Sequence, residues 1–400
     1  MKIFEIGTGY TSIPAKMGAA TEIVVEELAK SFLKNGKDVT IVDIRDKFRK
    51  PTNLPVIEVY MPQMMSTGAV VKLGIVHKIK RVLYSISLTY KLHHLIKKEK
   101  EKIFLHFHNQ YNLYFFLKLT SQELRDRCVI GYTVHSYIWF GKWEDIKDKV
   151  KVSNFQEIYC CQHANKVFVL NDIVADMLIQ HCNVPRSSLI HVINGVNIDV
   201  YNENNASKAA IENIKRRFHI EGKKIVFQVG SVCERKNQLG TLKLLSSIMH
   251  TNENIAYAYA GGIIDADYQN QIEEYANSEG FSDRVVYLGE VSPGEQLNNL
   301  YSMAYICFMN STSEAFALVI AEALSIPRPI FINDNIMRSL VFLGKKEGEG
   351  IIRISDQFND ELNKLLTDET YYKEISSKGR IFIEKEFSWD VAASLYLSAL

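Results

Sequence analysis

Two glutamates, Glu314 and Glu322, stand eight residues apart in the run Ser313-Glu314-Ala315-Phe316-Ala317-Leu318-Val319-Ile320-Ala321-Glu322. An α-helix covers that separation in a little over two turns, so a helix through the whole run would carry both carboxylates on one face. Carboxylates accept paired hydrogen bonds from vicinal hydroxyls. The positive end of the same helix attracts phosphate. Together these groups suit a ligand that is both polyhydroxylated and phosphorylated. Two solvated glutamates on an amphipathic helix have the same spacing, so the neighbourhood has to decide.

Earlier in the chain, the apolar run Ile225–Val229 ends in Gly230-Ser231-Val232-Cys233-Glu234-Arg235-Lys236-Asn237-Gln238. A glycine at the carboxyl end of a strand, followed by cations, is what a phosphate site in an α/β sheet requires. Lys236 would neutralise a diphosphate as a point charge, and Arg235 would fork onto it. His135 follows another strand-like run, in Tyr132-Thr133-Val134-His135-Ser136. His106 and His108 form a His-x-His with no obvious third or fourth ligand, so a metal is not expected there. Asp265-Ala266-Asp267 follows a strand and reads as a loop. Gly7-Thr8-Gly9 is too short for a dinucleotide fingerprint.

The elements that must position these residues alternate between strand and helix. Ile3–Ile6, Val39–Val42, Ile103–Phe107, Val129–Thr133 and Lys166–Leu170 read as strands, with a helix over Thr21–Asn35. The rhythm restarts with strands at Lys224–Val229, Ala256–Tyr259, Val285–Leu288 and Ile306–Met309 and helices from Gln238 and over Tyr268–Glu279. Such alternation calls for parallel, doubly wound sheets. The polar stretch Asn202–Lys208 marks a boundary. The expected organisation is a domain over 1–203, a second over 204–375, and closing helix 376–400. The fold class is α/β, with two Rossmann-like domains facing a cleft.

Four hundred residues suit two domains rather than one core, and 47% hydrophobic with 23% charged residues is the balance of a globular protein. No window reaches the length of a membrane span, the first residues lack the pattern of a signal peptide, and the six cysteines show no paired metal spacing. A reducing cytoplasm is the expected home. The net charge of +1 hides an asymmetry: 27 basic against 19 acidic residues in 1–200, or +8, and 20 against 27 in 201–400, or −7. Much of the excess lies between Lys72 and Lys102. There Ile75, Ile79, Leu83, Ile86, Tyr90 and Leu92 recur at roughly helical spacing among the cations. Either a core-packing helix with a basic rim or a helix that docks on the inner, anionic face of a membrane fits this pattern. Nucleic acid is not expected, since no binding motif accompanies the charge.

In the order and spacing of its motifs the chain resembles family 4 of the retaining glycosyltransferases, which have the two-domain GT-B fold. The resemblance rests on Gly230, Lys236, Glu314 and Glu322. It extends to Ile13-Pro14-Ala15-Lys16-Met17-Gly18 with Glu22, to Val192-Ile193-Asn194-Gly195-Val196-Asn197-Ile198-Asp199, and to Ala260-Gly261-Gly262, Val286-Tyr287-Leu288-Gly289 and Phe387-Ser388-Trp389. It implies that Glu322 binds the ribose of a nucleotide-diphosphate sugar and that Glu314 contacts the sugar. Backbone groups near Ala315, Phe316, Ala317 and Leu318 would hold sugar or phosphate, and Gly18, Gly230, Ser231 and Arg235 would belong to the same donor site. Lys236 would stabilise the departing diphosphate, and His135 would bond the donor sugar or orient the acceptor. No cofactor or metal is implied beyond the donor itself. The acceptor would be a hydroxyl of a glycan precursor, lipid-linked in one form of the reading, on the 1–203 side.

The chain also departs from the family pattern. The arginine expected after the strand glycine is Ser231, the glycines flanking the phenylalanine are Ala315 and Ala317, and a glycine beyond the second glutamate is Pro327. Arg235 compensates for Ser231 if its loop turns inward. Two rival readings stay open: an epimerase or glycan phosphorylase on the same fold, and a sugar-nucleotide-binding partner subunit without catalysis.

Overall fold

Apolar runs that alternation alone would leave half-exposed are buried on both faces, as parallel sheets demand. The structure, a computed structural model, describes residues 1–15, 20–61, 75–136, 138–314, 316, 318–339 and 347–400. One sheet contains β1 (Lys2–Ile6), β2 (Asp38–Ile44), β3 (Val56–Val59), β4 (Ile103–Phe107), β5 (Cys128–Thr133), β6 (Lys166–Val169) and β7 (Leu189–His191), in the order β3-β2-β1-β4-β5-β6-β7. The other contains β8 (Lys224–Val229), β9 (Ile255–Ala260), β10 (Val285–Tyr287), β11 (Ile306–Met309), β12 (Ile330–Ile332) and β13 (Ile351–Arg353), in the order β10-β9-β8-β11-β12-β13. Every pairing is parallel. Each sheet therefore reverses its strand order once, between β1 and β4 and between β8 and β11. In doubly wound folds, ligands bind at such points, beyond the carboxyl ends of the strands.

The α/β class and the parallel, doubly wound sheets are as expected. The unread strands β3, β7, β12 and β13 are only three or four residues long, too short for a period to show. Three of them are sheet edges.

The chain divides into two units, one of Met1–Gly195 with Trp389–Leu400 and one of Val196–Ser388. The divisions thus fall at 195/196 and 388/389 rather than at 203/204 and 375/376. The polar stretch Asn202–Lys208 belongs to the second unit, where Asn298 and Asn299 accept from the backbone N–H groups of Asn202 and Ser207. The helix Trp389–Leu397 belongs to the first. There Tyr396 meets Phe32 and Phe168, and a Cβ on Gly195 would fall 2.5 Å from the Trp389 backbone. The close approach of Gly195 to Trp389 requires glycine at that position.

The basic run forms the helix Ile75–Lys98, while Lys72 lies outside the described residues. Tyr84, Leu88, Leu92 and Ile96 enter the core of the first unit. Ile79, Leu83 and Tyr90 do not: they are 49%, 41% and 65% exposed. The expected apolar pattern thus merged two faces. Among the described residues no helix is long and apolar enough to cross a membrane.

Candidate functional site

In the second unit, β8 ends at Val229, and from Gly230 the chain turns through a short 3₁₀ segment, Glu234–Lys236, into the helix Gln238–Thr251. The turn is held from beneath. Gln228 donates to the Lys236 carbonyl at 2.6 Å, and Gln238 donates to the Ser231 carbonyl at 3.0 Å. Gly261, at the end of the neighbouring β9, has φ +140°, and a Cβ there would fall 2.2 Å from the Gly230 carbonyl oxygen. Glycine is thus required where the two strand ends converge.

Across the strand-order reversal, the segment after β11 is drawn to this turn. Thr312 N–H donates to the Arg235 carbonyl at 2.8 Å, and Arg235 Nη1 donates to the Ser313 carbonyl at 3.0 Å. The Glu314 carboxylate then accepts on a single oxygen, Oε1, from Lys236 Nζ at 2.6 Å and Arg235 Nη1 at 2.9 Å. Two cations around one carboxylate leave a positive charge beyond the carboxyl ends of the central strands β8 and β11, suited to an anion. Arg235 thus turns toward the same carboxylate as Lys236.

The shared helix face for Glu314 and Glu322 is not present. The helix spans Leu318–Ser325 and carries Glu322, but Glu314 lies before it, in the loop. The physical reason is the pair of charge-assisted bonds to Arg235 and Lys236, which a helical position of Glu314 would have to give up. Glu322, half-buried as a residue, has its carboxylate enclosed by two phenols. Tyr301 donates to Oε2 at 2.8 Å, and Tyr201 bonds the same group. Burial pushes its carboxyl above the usual range, with the two phenols opposing that shift. Two phenols leave acceptor capacity on a carboxylate, which has about four lone-pair sites. Phe316 lies 6.2 Å from Phe387, ring to ring, and Leu318 opens the helix. Gly18, Ala315 and Ala317 lie outside the described residues.

In the first unit the register of β1 on β4 sets Glu5 opposite His106. Period-two alternation puts His108 on the same side of the sheet, and Thr133 and His135 share a side of the next chain segment. The buried Glu5 carboxylate uses both oxygens: Oε1 lies 2.8 Å from His106 Nδ1 and Oε2 lies 2.9 Å from His108 Nε2. The remaining ring nitrogens continue outward, His106 Nε2 to Thr133 Oγ1 at 2.8 Å and His108 Nδ1 to His135 Nε2 at 3.0 Å. Burial raises the Glu5 carboxyl, but the adjoining imidazoles outweigh it and hold it at about 2. Burial also pushes His108 down to about 4, His106 adding to the shift while Glu5 opposes it. His135 is held well below the ordinary range, by burial first and then by His108 and His106.

Sequence reasoning found His135 but not the acid behind it. One glutamate inside the apolar strand Lys2–Ile6 was the available signal, since a buried charge requires partners. Glu5 also supplies the third group that the His-x-His lacked, and donor atoms of the three residues lie within 4.8 Å of one another. In this arrangement the nitrogens and oxygens are satisfied by one another, by Thr133 and by His135. Tyr201 and Tyr301 carried no readable signal.

Residues 21–200 match the family described as Glycosyltransferase Family 4, and residues 210–382 match Glycosyl transferases group 1. An uncharacterized glycosyltransferase of Methanocaldococcus jannaschii is 20% identical over 384 residues, which is 94% of this chain and 93% of the relative. Among solved structures, Anabaena HepE in complex with UDP and glucose superposes with TM-score 0.72 at 14% identity, covering all of both chains. The catalytic domain of starch synthase IV from Arabidopsis thaliana, bound to ADP and acarbose, gives 0.73 at 14% identity over 100% of this chain and 98% of that one. At these identities the structural likeness shows a common fold.

Proposed function

The chain belongs to glycosyltransferase family 4, and on that premise we propose that it transfers a hexose-type sugar from a nucleotide-diphosphate donor to a hydroxyl, with retention at the anomeric carbon. The observation that carries this reading is the Lys236–Glu314–Arg235 cluster beyond the ends of β8 and β11. As the bond between the anomeric carbon and the diphosphate oxygen breaks, negative charge grows on the leaving group. Preformed cations stabilise that charge without reorganising. Lys236 and Arg235 supply the positive charge, and Glu314 holds them together and contacts the sugar. The acceptor oxygen forms the new bond on the face the diphosphate leaves, and its proton passes to the departing phosphate oxygen.

Glu322 takes the ribose, using acceptor capacity that Tyr301 and Tyr201 leave open. The Leu318–Ser325 helix presents its first N–H groups to sugar or phosphate, with Gly18, Gly230 and Ser231 in the same donor role. His135 bonds the sugar or the acceptor. The reaction needs no cofactor. The acceptor is a lipid-linked glycan precursor of a bacterial surface polysaccharide, met at the inner face of a membrane. Support comes from the exposed Ile79, Val82, Leu83 and Tyr90 on a helix that also carries Lys78, Lys80 and Lys91.

The test is a panel of UDP-, GDP- and ADP-sugars, read by thermal stabilisation and by the anomeric configuration of the product. A bound donor raises the midpoint as its concentration exceeds its dissociation constant. One donor class should stabilise the protein and give the retained anomer. An inverted anomer, or unchanged turnover in Glu314→Ala, would rule out the mechanism, and turnover that requires inorganic phosphate would point to a phosphorylase.

A further inference from the structure

The Glu5–His108–His135 chain has a direction. We propose that Glu5 and His108 are positioning residues that fix the tautomer of His135, so that its Nδ1 presents a lone pair to a sugar hydroxyl. A carboxylate only accepts hydrogen bonds, so His106 Nδ1 and His108 Nε2, at 2.8 and 2.9 Å from Glu5, must both carry protons. With its proton on Nε2, a neutral His108 has a lone pair at Nδ1. That atom stands 3.0 Å from His135 Nε2, which must then be the N–H donor. A neutral His135 so protonated has an unprotonated Nδ1.

Burial keeps both His108 and His135 neutral through the ordinary pH range. The two rings meet edge to edge, 5.3 Å between centroids and 25° from coplanar, as an in-plane N–H···N bond requires, so rotation of either one would break the chain. His106 anchors the other Glu5 oxygen and is itself packed by Phe104, Phe168 and Tyr396. A hydroxyl that meets Nδ1 therefore donates to it, and a group able only to accept is refused. The order of the tautomers follows from the first unit alone. The choice of a sugar hydroxyl as the donor rests on the function proposed above.

The experiment is ¹⁵N NMR of the full-length protein labelled at histidine, without substrate. His135 and His108 should show Nε2–H tautomers, with a proton on His106 Nδ1 where it faces Glu5. Glu5→Gln offers an amide that donates as well as accepts. It should move His135 toward Nδ1–H and lower kcat at least tenfold, while the donor KM stays within twofold. An Nδ1–H His135 in the unsubstituted protein overturns the proposal, even if Glu5→Gln does not fold. So does a folded Glu5→Gln with the tautomer and kcat unchanged. An Nε2–H His135 in a protein that transfers no sugar supports the tautomer and overturns only the assigned reaction.

Discussion

Lys236 Nζ and Glu314 Oε1 meet at 2.6 Å across 78 residues of chain, joining the ends of two strands on either side of a reversal in strand order. The pair is 12% exposed on each side chain. It therefore works in surroundings where charge is less screened than at an open surface. Lys236→Ala should leave the fold intact and lower kcat by about 10²–10³, the loss typical when one preorganised donor to a developing anion is removed. Release of nucleoside diphosphate under saturating donor measures it, and turnover within tenfold of the parent would refute the role.

On the proposed function, Arg235 makes up for the cation that Ser231 does not supply. Arg235→Ala should weaken binding of a nucleoside diphosphate about tenfold, or about 1.4 kcal/mol. Adding Ser231→Arg to that variant should recover most of the loss. Titration calorimetry with the free diphosphate reads both steps. Full-strength binding in Arg235→Ala would show that the guanidinium serves Glu314 and the Ser313 carbonyl alone.

Glu322 depends on the phenols around it. Tyr301→Phe removes a hydrogen bond to an enclosed carboxylate, a loss of about 1.5–3 kcal/mol. The urea midpoint should fall by that loss divided by the slope, with the slope itself unchanged. Loss of donor binding with unaltered stability would instead make Tyr301 a ligand contact.

The acid side of the stability curve should be steep. His108 is neutral in the folded chain down to about 4, whereas an unfolded histidine takes up a proton near 6.5. Its contribution is complete above that value and is lost as pH falls from about 6.5 to 4. His135 acts in the same direction. Glu5, held at about 2, adds stability that is complete above the unfolded carboxylate range and declines further down. His108 alone accounts for a change on the order of 3 kcal/mol. Replacing His108 with Asn should flatten the decline between pH 6.5 and 4 in thermal unfolding, and an unchanged slope would count against the assignment.

The exposed face of Ile75–Lys98 gives the membrane reading its check. Lys78→Gln and Lys80→Gln should each lower partition onto anionic vesicles about fivefold, since a cation near such a surface contributes about 1 kcal/mol. Ile79→Asp should abolish binding. Vesicle binding that ignores all three changes would remove this helix from the proposal. Arg81 is a poor probe, because its guanidinium stacks on Tyr10 at 5.0 Å and Tyr111 at 5.5 Å.

Local pattern carried the central strands. Ile103–Phe107, Lys224–Val229 and Ile306–Met309 were legible to the residue, because buried parallel strands are continuous apolar runs. The path of Glu314 was not. Its helix-favouring neighbours argued for one continuous helix, and partners 78 and 79 residues away overruled them. Glu5 was visible as an anomaly, but His106 and His108 lie 101 and 103 residues away, so only the strand register identifies them. The division at 388/389 was hidden for a related reason. Nothing local separates Trp389–Leu397 from the helix before it, and its assignment comes from what Tyr396 touches.

That last segment bears on biosynthesis. Residues 196–388 form one uninterrupted unit, whereas the first unit needs Trp389–Leu400. On a ribosome the second unit has all of its chain before the first does, reversing the usual N-terminal priority. Until Tyr396 emerges, the face of the sheet bearing His106 and Phe168 lacks a ring that packs against both. A stop codon ahead of Tyr396 would strip a wall from a histidine cluster encoded far upstream.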